Sequence, residues 1–396
     1  MWRKVTTSET MDSFDKFKRI YAIKRLKLLW IIFGLICMVF LLYGVEDHTN
    51  NKSTTTDHNY GSTFRLANYE SNLDDVNSIE YQPFYTQTRS TFIDESIPNA
   101  DELNNTNKAM QEILFFNRVP KVGSQTFMEL LVRLSYANGF RFHRDAVQRV
   151  EIIRLPESQQ NELATAISYL PPPAAYVKHV CFTNFTRYGY SNPIYVNLVR
   201  DPVERVISWF YYIRAPWYYV ERKRAFPDLP LPDTDWLKKD FETCVLTGDP
   251  ECVYNQGVRR EGIGDHRRQT LFFCGHEPDC TPFNSQEALD RAKRNVEESY
   301  AVVGILEDLN TTFAVMEHYV PRFFKGIAHI YHASPTNRVN RNAFKPHVSD
   351  YVKDLVRRNF SREMEFYEFC KDRLYKQYKA LRLTTTPNGR DASGKY

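Results

Sequence analysis

Residues 112–127 read EILFFNRVPKVGSQTF. The apolar run inside Gln111–Val119 is short, and Pro and Gly close it, which is the pattern of a buried strand. From Ser124 to Tyr136 the period changes. Phe127, Leu130, Leu131 and Leu134 fall on one face of a helix, with Ser124 near its N-cap. Between strand and helix lies Pro120-Lys121-Val122-Gly123-Ser124-Gln125-Thr126. A glycine there lets the backbone approach a ligand closely, and the N–H groups of the helix start face an anion. Lys121 adds a mobile positive charge, and Ser124 and Thr126 add hydroxyls. The order Lys-x-Gly-Ser-x-Thr is not that of a Walker A loop. Taken alone, it is also compatible with an ordinary strand-to-helix turn.

Working outward, Ala174–Cys181 and Pro193–Val199 read as two more strands. Asp201-Pro202 is a helix start, with Asp at the N-cap, Pro at N1 and Glu204 in the first turn. That helix is expected to run to about Arg214, and residues 215–235 to form a loop. Helices follow near Asp235–Leu246 and Ser285–Glu298, then a strand at Ala301–Leu306 and a helix through Glu307–Tyr319. Asp350–Leu381 reads as one long helix. Strands alternating with helices imply an α/β fold with a mainly parallel sheet. Arg200 then stands at the carboxyl end of a strand, where such sheets bind ligands, and Ser208 lies two turns into the next helix. A guanidinium and a hydroxyl so placed suit a phosphate. The competing reading of Arg200 is a surface ion pair with Glu204.

The chain has 396 residues, 42% of them hydrophobic and 25% charged, which excludes a collagen, a coiled-coil rod, a wholly disordered chain and a polytopic membrane protein. Charge is unevenly placed: residues 1–27 carry net +5, residues 46–109 net −7 and residues 110–396 net +6. Leu28 to Val45 holds eighteen residues without a charge, enough to span a bilayer core. Basic residues precede it and Glu46 and Asp47 follow, so the positive-inside bias puts the N-terminus in the cytosol. We read residues 1–27 as a cytoplasmic tail, 28–45 as an uncleaved signal anchor, 46–109 as a luminal stem, 110–381 as the folded domain and 382–396 as a polar tail. A cleaved signal peptide is the alternative, but no small-residue cleavage site follows. In an oxidising lumen Cys244/Cys252 and Cys274/Cys280 are short-loop disulfide candidates, although four cysteines allow three connectivities. Zinc on Cys274, His276 and Cys280 is a rival with an unusual spacing. Glycosylation sequons occur at Asn51, Asn104, Asn184, Asn310 and Asn359.

Together the two motifs, Lys-x-Gly-Ser-x-Thr after the first strand and Arg-Asp-Pro-x-x-Arg-x-x-Ser after a later one, resemble the sulfotransferases that use 3′-phosphoadenosine 5′-phosphosulfate (PAPS). FNRVPKVGSQTF (116–127), YVKHVCFTNF (176–185), YVNLVRDPVERVISWFYYIR (195–214), FFCG (272–275) and VPRFFKG (320–326) narrow this to the uronyl and heparan sulfate 2-O-sulfotransferases of glycosaminoglycans, nearest the insect Pipe-type branch. The resemblance covers roughly residues 112–375 and implies a P-loop-like parallel sheet flanked by helices.

It also implies roles. Lys121 would contact the sulfuryl and bridging oxygens. Gly123, Ser124, Gln125 and Thr126 would cradle the 5′-phosphate, and Arg200 and Ser208 would hold the 3′-phosphate. Arg338 and Arg341 would lie on a late loop over the nucleotide. His179 matches the catalytic histidine; near its reference pKa of about 6.5 it would act as general base at Golgi pH. His143 is the nearest substitute. Arg118 resembles an acceptor-binding arginine, and Arg214, Arg222, Lys223 and Arg224 form a basic stretch suited to an anionic glycan. One departure stands out: Val177 replaces the first histidine of the His-x-His pair of heparan-type relatives. The transfer needs no metal, a luminal domain meets no nucleic acid, and self-association stays open. The rivals are a luminal kinase or nucleotidase, which would need Mg²⁺ ligands, and a catalytically silent glycan- or nucleotide-binding protein.

Overall fold

In the computed structural model the described residues are 99–149, 152–259, 268–333 and 345–384. The segment 28–45, Asn51, Arg338, Arg341 and most of the 382–396 tail lie outside them. Among the described residues no helix is long and apolar enough to cross a membrane.

Five strands form one sheet: β1 (Ile113–Asn117), β2 (Arg141–Arg144), β3 (Ala174–Lys178), β4 (Ile194–Val199) and β5 (Tyr300–Ile305), in the order β2-β3-β1-β4-β5. Every pairing is parallel. β1, β4 and β5 are buried along their whole length, so apart from Asn117 and Asn197 their sequences are apolar runs rather than alternations. β2 is the exception. Its sequence RFHR lies half-exposed at the sheet edge, and no apolar run announces it. The crossover helices are α1 (Ser124–Asn138), α2 (Glu157–Ser168), α3 (Pro202–Tyr212) and α5 (Gln286–Ser299). α4 (Pro216–Ala225) occupies the stretch expected to be a loop. Pro216 suits its first turn, and Trp217 and Tyr218 pack their rings on Tyr212 at 5.1 and 5.0 Å.

Other boundaries also shift. Asp201 caps α3 as expected, accepting from Val203 N at 2.8 Å and Glu204 N at 2.9 Å. The 235–246 helix is two short ones, Thr234–Leu237 and Phe241–Leu246, each with its own aspartate cap, Asp233 and Asp240. α6 (Leu309–Tyr319) packs behind β5. The single C-terminal helix is α7 (Asp350–Arg358) and α8 (Ser361–Thr384). Phe360 breaks it by plugging into a second core between Tyr254 and Phe283, 5.0 Å from each ring, while Asn284 Oδ1 accepts from Arg362 N at 2.7 Å. That second core lies under α3 and includes the disulfide Cys244–Cys252. Cys274–Cys280 is also bonded. Both thiols of the zinc alternative are thus engaged with each other, and His276 accepts from Leu155 N and meets Thr183 Oγ1. The packed domain begins earlier than residue 110, because buried Asn105 donates to Glu297 O at 2.7 Å and Tyr300 O at 2.9 Å.

At the carboxyl end of β1 sits a buried polar hub that reaches into β4 and β5. Asn117 donates to Phe272 O at 3.0 Å, and Tyr300 Oη donates to Asn117 Oδ1 at 2.9 Å. Asn197 Nδ2 donates to Asn117 O at 2.8 Å. Asn117→Ala should therefore lower unfolding free energy by roughly 3 kcal/mol, because it strands several buried partners at once. Chemical denaturation checks this; a loss under about 0.5 kcal/mol would show that the hub is not structural.

Candidate active site

The strand order decides where a ligand can lie. β1 has β3 on one side and β4 on the other, so the crossovers reverse direction between β1 and β4. Open parallel sheets leave a crevice at such a switch point, outside the carboxyl ends. The Lys121 loop leaves β1 there, and Arg200 follows β4.

The loop turns through two left-handed residues, Lys121 at φ 65° and Gly123 at φ 77°. A side chain at Gly123 would meet Leu306, its Cβ only 2.6 Å from Cδ1. Gly123, rather than Ser124, is the N-cap of α1; Ser124 is its buried first residue. Gln125 is exposed, and its side chain donates to Glu129 at 3.2 Å, which leaves its backbone N–H for the loop. Thr126 is half-buried one residue on.

Arg200 Nη1 donates to Lys121 O at 3.3 Å, tying the two motifs together. Arg200 also pairs with Glu204 at 3.6 Å. Glu204 does not depend on it: Lys345 and Lys353 each reach Glu204 at 3.0 Å. Burial opposes ionisation of that carboxyl, but the two lysines pull its pKa down to about 2. Arg200 can therefore turn to another anion without leaving a carboxylate bare. Ser208 lies half-buried on α3, one turn before Tyr212, whose ring carries Lys121 Nζ 3.6 Å above its centre. Burial, then the Arg200 and Arg118 cations, bring the Lys121 pKa down to about 7. Three cations crowded this way fit a ligand with several negative charges.

His179 follows β3, beside the end of β1. Its Nδ1 lies 2.9 Å from Arg118 O. A carbonyl only accepts, so Nδ1 carries the proton and Nε2 keeps its lone pair. Burial, then the Arg118 charge, push the ring well below the ordinary histidine pKa. The reference value of about 6.5 does not hold here, and the ring is held neutral. His143 pairs with Tyr176 in the β2–β3 register, three residues short of His179 along the sheet, and is displaced from the crevice. Lys178, next to His179, is held by Asp145, which also accepts from Tyr176; the sequence reading passed over this pair because Asp145 precedes no recognisable motif.

The basic stretch divides. Arg214 is not available to a glycan: its side chain is 3% exposed and gives two bonds to Glu251 at 2.8 and 2.7 Å. It also donates to Phe210 O and Trp236 O. Its guanidinium is a strut between α3 and the segment beyond α4. Arg222 on α4 donates to the carbonyls of Gln148 and Arg149, and Arg224 is exposed. Arg118 is half-buried beside His179, with Nη1 3.3 Å from Met128 Sδ. Of the sequons, Asn184, Asn310 and Asn359 are exposed and Asn104 is half-buried. Among the described residues no group of three His, Cys, Asp or Glu side chains is placed to hold a metal.

An open parallel sheet with helices and a cationic loop at its switch point is an α/β architecture that takes ligands outside the carboxyl ends of its strands. The chain belongs to the sulfotransferase family, whose model matches residues 105–370. It is 47% identical over 287 residues to the uronyl 2-sulfotransferase homolog pip of Drosophila melanogaster, covering 71% of this chain and 56% of that one. It is 32% identical over 269 residues to a heparan sulfate 2-O-sulfotransferase of Caenorhabditis elegans, covering 65% and 76%. The uronyl 2-sulfotransferase of Homo sapiens is 32% identical over 264 residues, covering 66% and 62%. The chain thus spans little more than half of the Drosophila relative.

Lys121 gives a pH signature. An anion bound beside it restores its proton, so binding favours the charged lysine. With a starting pKa of about 7, binding of adenosine 3′,5′-bisphosphate (PAP) at pH 8 should take up close to one proton. Affinity should fall up to about tenfold per pH unit above that value. Calorimetry in two buffers of different ionisation enthalpy measures the uptake; none at pH 8 would remove Lys121 from the anion site.

Proposed function

We propose that this chain is a PAPS-dependent carbohydrate O-sulfotransferase acting on a glycosaminoglycan or glycoprotein glycan, with O2 of a uronic acid as the acceptor position. The observation that carries this reading is the convergence of Lys121, Arg200, Arg118 and His179 at the β1/β4 switch point. PAPS supplies an activated sulfuryl group. The N-terminus of α1 with Gly123, Ser124, Gln125 and Thr126 would hold its 5′-phosphate, and Arg200 and Ser208 its 3′-phosphate. Arg338 and Arg341 are proposed as further contacts to it.

The chemistry assigned to the chain's own residues is acid–base and electrostatic. His179 Nε2 accepts the proton of the acceptor hydroxyl as that oxygen forms its bond to sulfur. The bond from sulfur to the bridging oxygen breaks, its electron pair stays with the 5′-phosphate, and Lys121 offsets the charge that develops there. Because the ring is already neutral well below the usual histidine range, the acid limb of the rate profile should lie below pH 6.5. Arg118, Arg222 and Arg224 are proposed for the acceptor's carboxylates and sulfates. Val177, buried in β3 two residues before His179, stands where heparan-type relatives carry a histidine, and this argues against carrying over the heparan specificity unchanged.

We place the protein in the Golgi membrane as a single-pass type II protein, with 28–45 as anchor and the stem, read from the sequence as 46–109, giving way to the packed domain before Asn105. The domain faces the lumen, where its two disulfides and the sequons fit an oxidising, glycosylating compartment.

The test is transfer of ³⁵S from labelled PAPS to a panel of desulfated glycosaminoglycans and glycoproteins. Wild type should label an acceptor. His179→Ala should lower kcat by about 10³-fold or more while PAP affinity stays within about threefold, and Arg200→Ala should weaken PAP binding by roughly tenfold or more. Full activity in His179→Ala would overturn the base assignment, and failure of wild type to bind PAP would overturn the function.

A further inference from the structure

Arg200 lies one residue past the end of β4, and the ladder to β5 finishes with Leu306 N donating to Val199 O at 3.0 Å. Its own N–H and C=O therefore need partners from elsewhere. The Gln269 side chain supplies both. Gln269 Nε2 donates to Arg200 O at 3.0 Å, and Gln269 Oε1 accepts from Arg200 N at 3.4 Å. One primary amide thus adds a further rung beside the strand. On the other side, Glu307 Oε1 accepts from Asp201 N at 3.1 Å.

Gln269 is itself fixed. It is 1% exposed, and Glu363 of α8, also 1% exposed, accepts from its N–H at 2.8 Å. The same carboxylate accepts from Thr270 N at 3.2 Å and from Thr270 Oγ1. The segments at Arg200, Gln269–Thr270 and Glu363, distant in the chain, therefore meet at the Arg200 backbone, while Glu307 Oε1 also lies 4.0 Å from Arg200 Nε.

We propose that Gln269 is a positioning residue for the phosphate-binding arginine: it sets the backbone from which Arg200 reaches the nucleotide, and Glu363 sets Gln269. The inference rests on the PAPS reading above. An arginine fork rewards only a narrow range of approach to a phosphate. A backbone free to rotate at Arg200 gives up part of that reward on binding, so the loss falls on donor affinity rather than on the chemical step.

The experiment measures PAP binding by calorimetry and transfer kinetics on the full chain. Gln269→Ala should raise the PAP Kd and the PAPS KM together by about tenfold, with kcat at saturating PAPS and the acceptor KM within about threefold. Gln269→Glu keeps the acceptor atom but turns a carboxylate oxygen on Arg200 O, and should cost at least as much; it serves in place of Gln269→Ala if that variant does not fold. Glu363→Gln should shift the same constants by about threefold. In an Arg200→Ala background the Gln269 substitution should add less than about twofold, because the residue it positions is gone. A merely structural glutamine would lower Tm and leave Kd per folded molecule unchanged. An unchanged PAP Kd in a cooperatively folded Gln269 variant overturns the inference while the nucleotide reading stands. So does a full tenfold penalty in the Arg200→Ala background. Absence of PAP binding by wild type removes both.

Discussion

The side chain of Asn117 is the point on which the site geometry depends. It sits at the end of the central strand, wholly buried, and bonds to the segment at Phe272 and to Tyr300 of β5. Asn197 of β4 bonds to its carbonyl. Strand ends normally fray, because the ladder stops there and backbone groups turn to water. Here a dry polar network replaces the ladder. In a low dielectric such bonds are strong when complete and costly when broken, so β1, β4 and β5 are fixed relative to one another just where their loops must cooperate.

That rigidity bears on charge. Lys121, Arg118 and Arg200 are close enough for the arginines to depress the lysine pKa. Like charges at this range repel, and a soft scaffold would relax by spreading them. The positive-φ loop, the bond from Arg200 to Lys121 O and the clamp of Gln269 on the Arg200 backbone prevent this. The folded protein thus stores an electrostatic cost that a polyanionic ligand relieves, the usual logic of a preorganised site. The neutral His179 belongs to the same scheme: burial and its cationic neighbours keep the ring uncharged, which is the state the proposed base requires.

The elements that were legible in advance share a physical signature. β1, β4 and β5 are buried on both faces and so are mostly apolar, with Asn117 and Asn197 as the exceptions, and α3 begins at an unmistakable Asp-Pro cap. Those that were missed lack one. β2 is an edge strand of four polar-rich residues. α4 buries none of its residues and is anchored by the rings of Trp217 and Tyr218 on Tyr212, a contact that the local pattern does not signal. The break between α7 and α8 depends on Phe360 entering a pocket formed by Tyr254 and Phe283, residues far away in the chain. Arg214 was the instructive error among the site residues: a charge in a basic stretch reads as exposed, but Glu251 and two aromatic faces buried it.

By itself the sequence determined the α/β class, the two motifs and their family resemblance, because each depends on residue types at short separation; it left the four cysteines among three connectivities, which the fold resolved into the two local pairs. Tertiary structure alone decided the strand order that sets Lys121 beside Arg200, the tautomer of His179, the removal of Arg214 from the crevice and the Glu363–Gln269–Arg200 chain. These depend on contacts between residues tens to hundreds of positions apart. No periodicity or motif records such contacts; they exist only once burial has forced each polar group to find its partner.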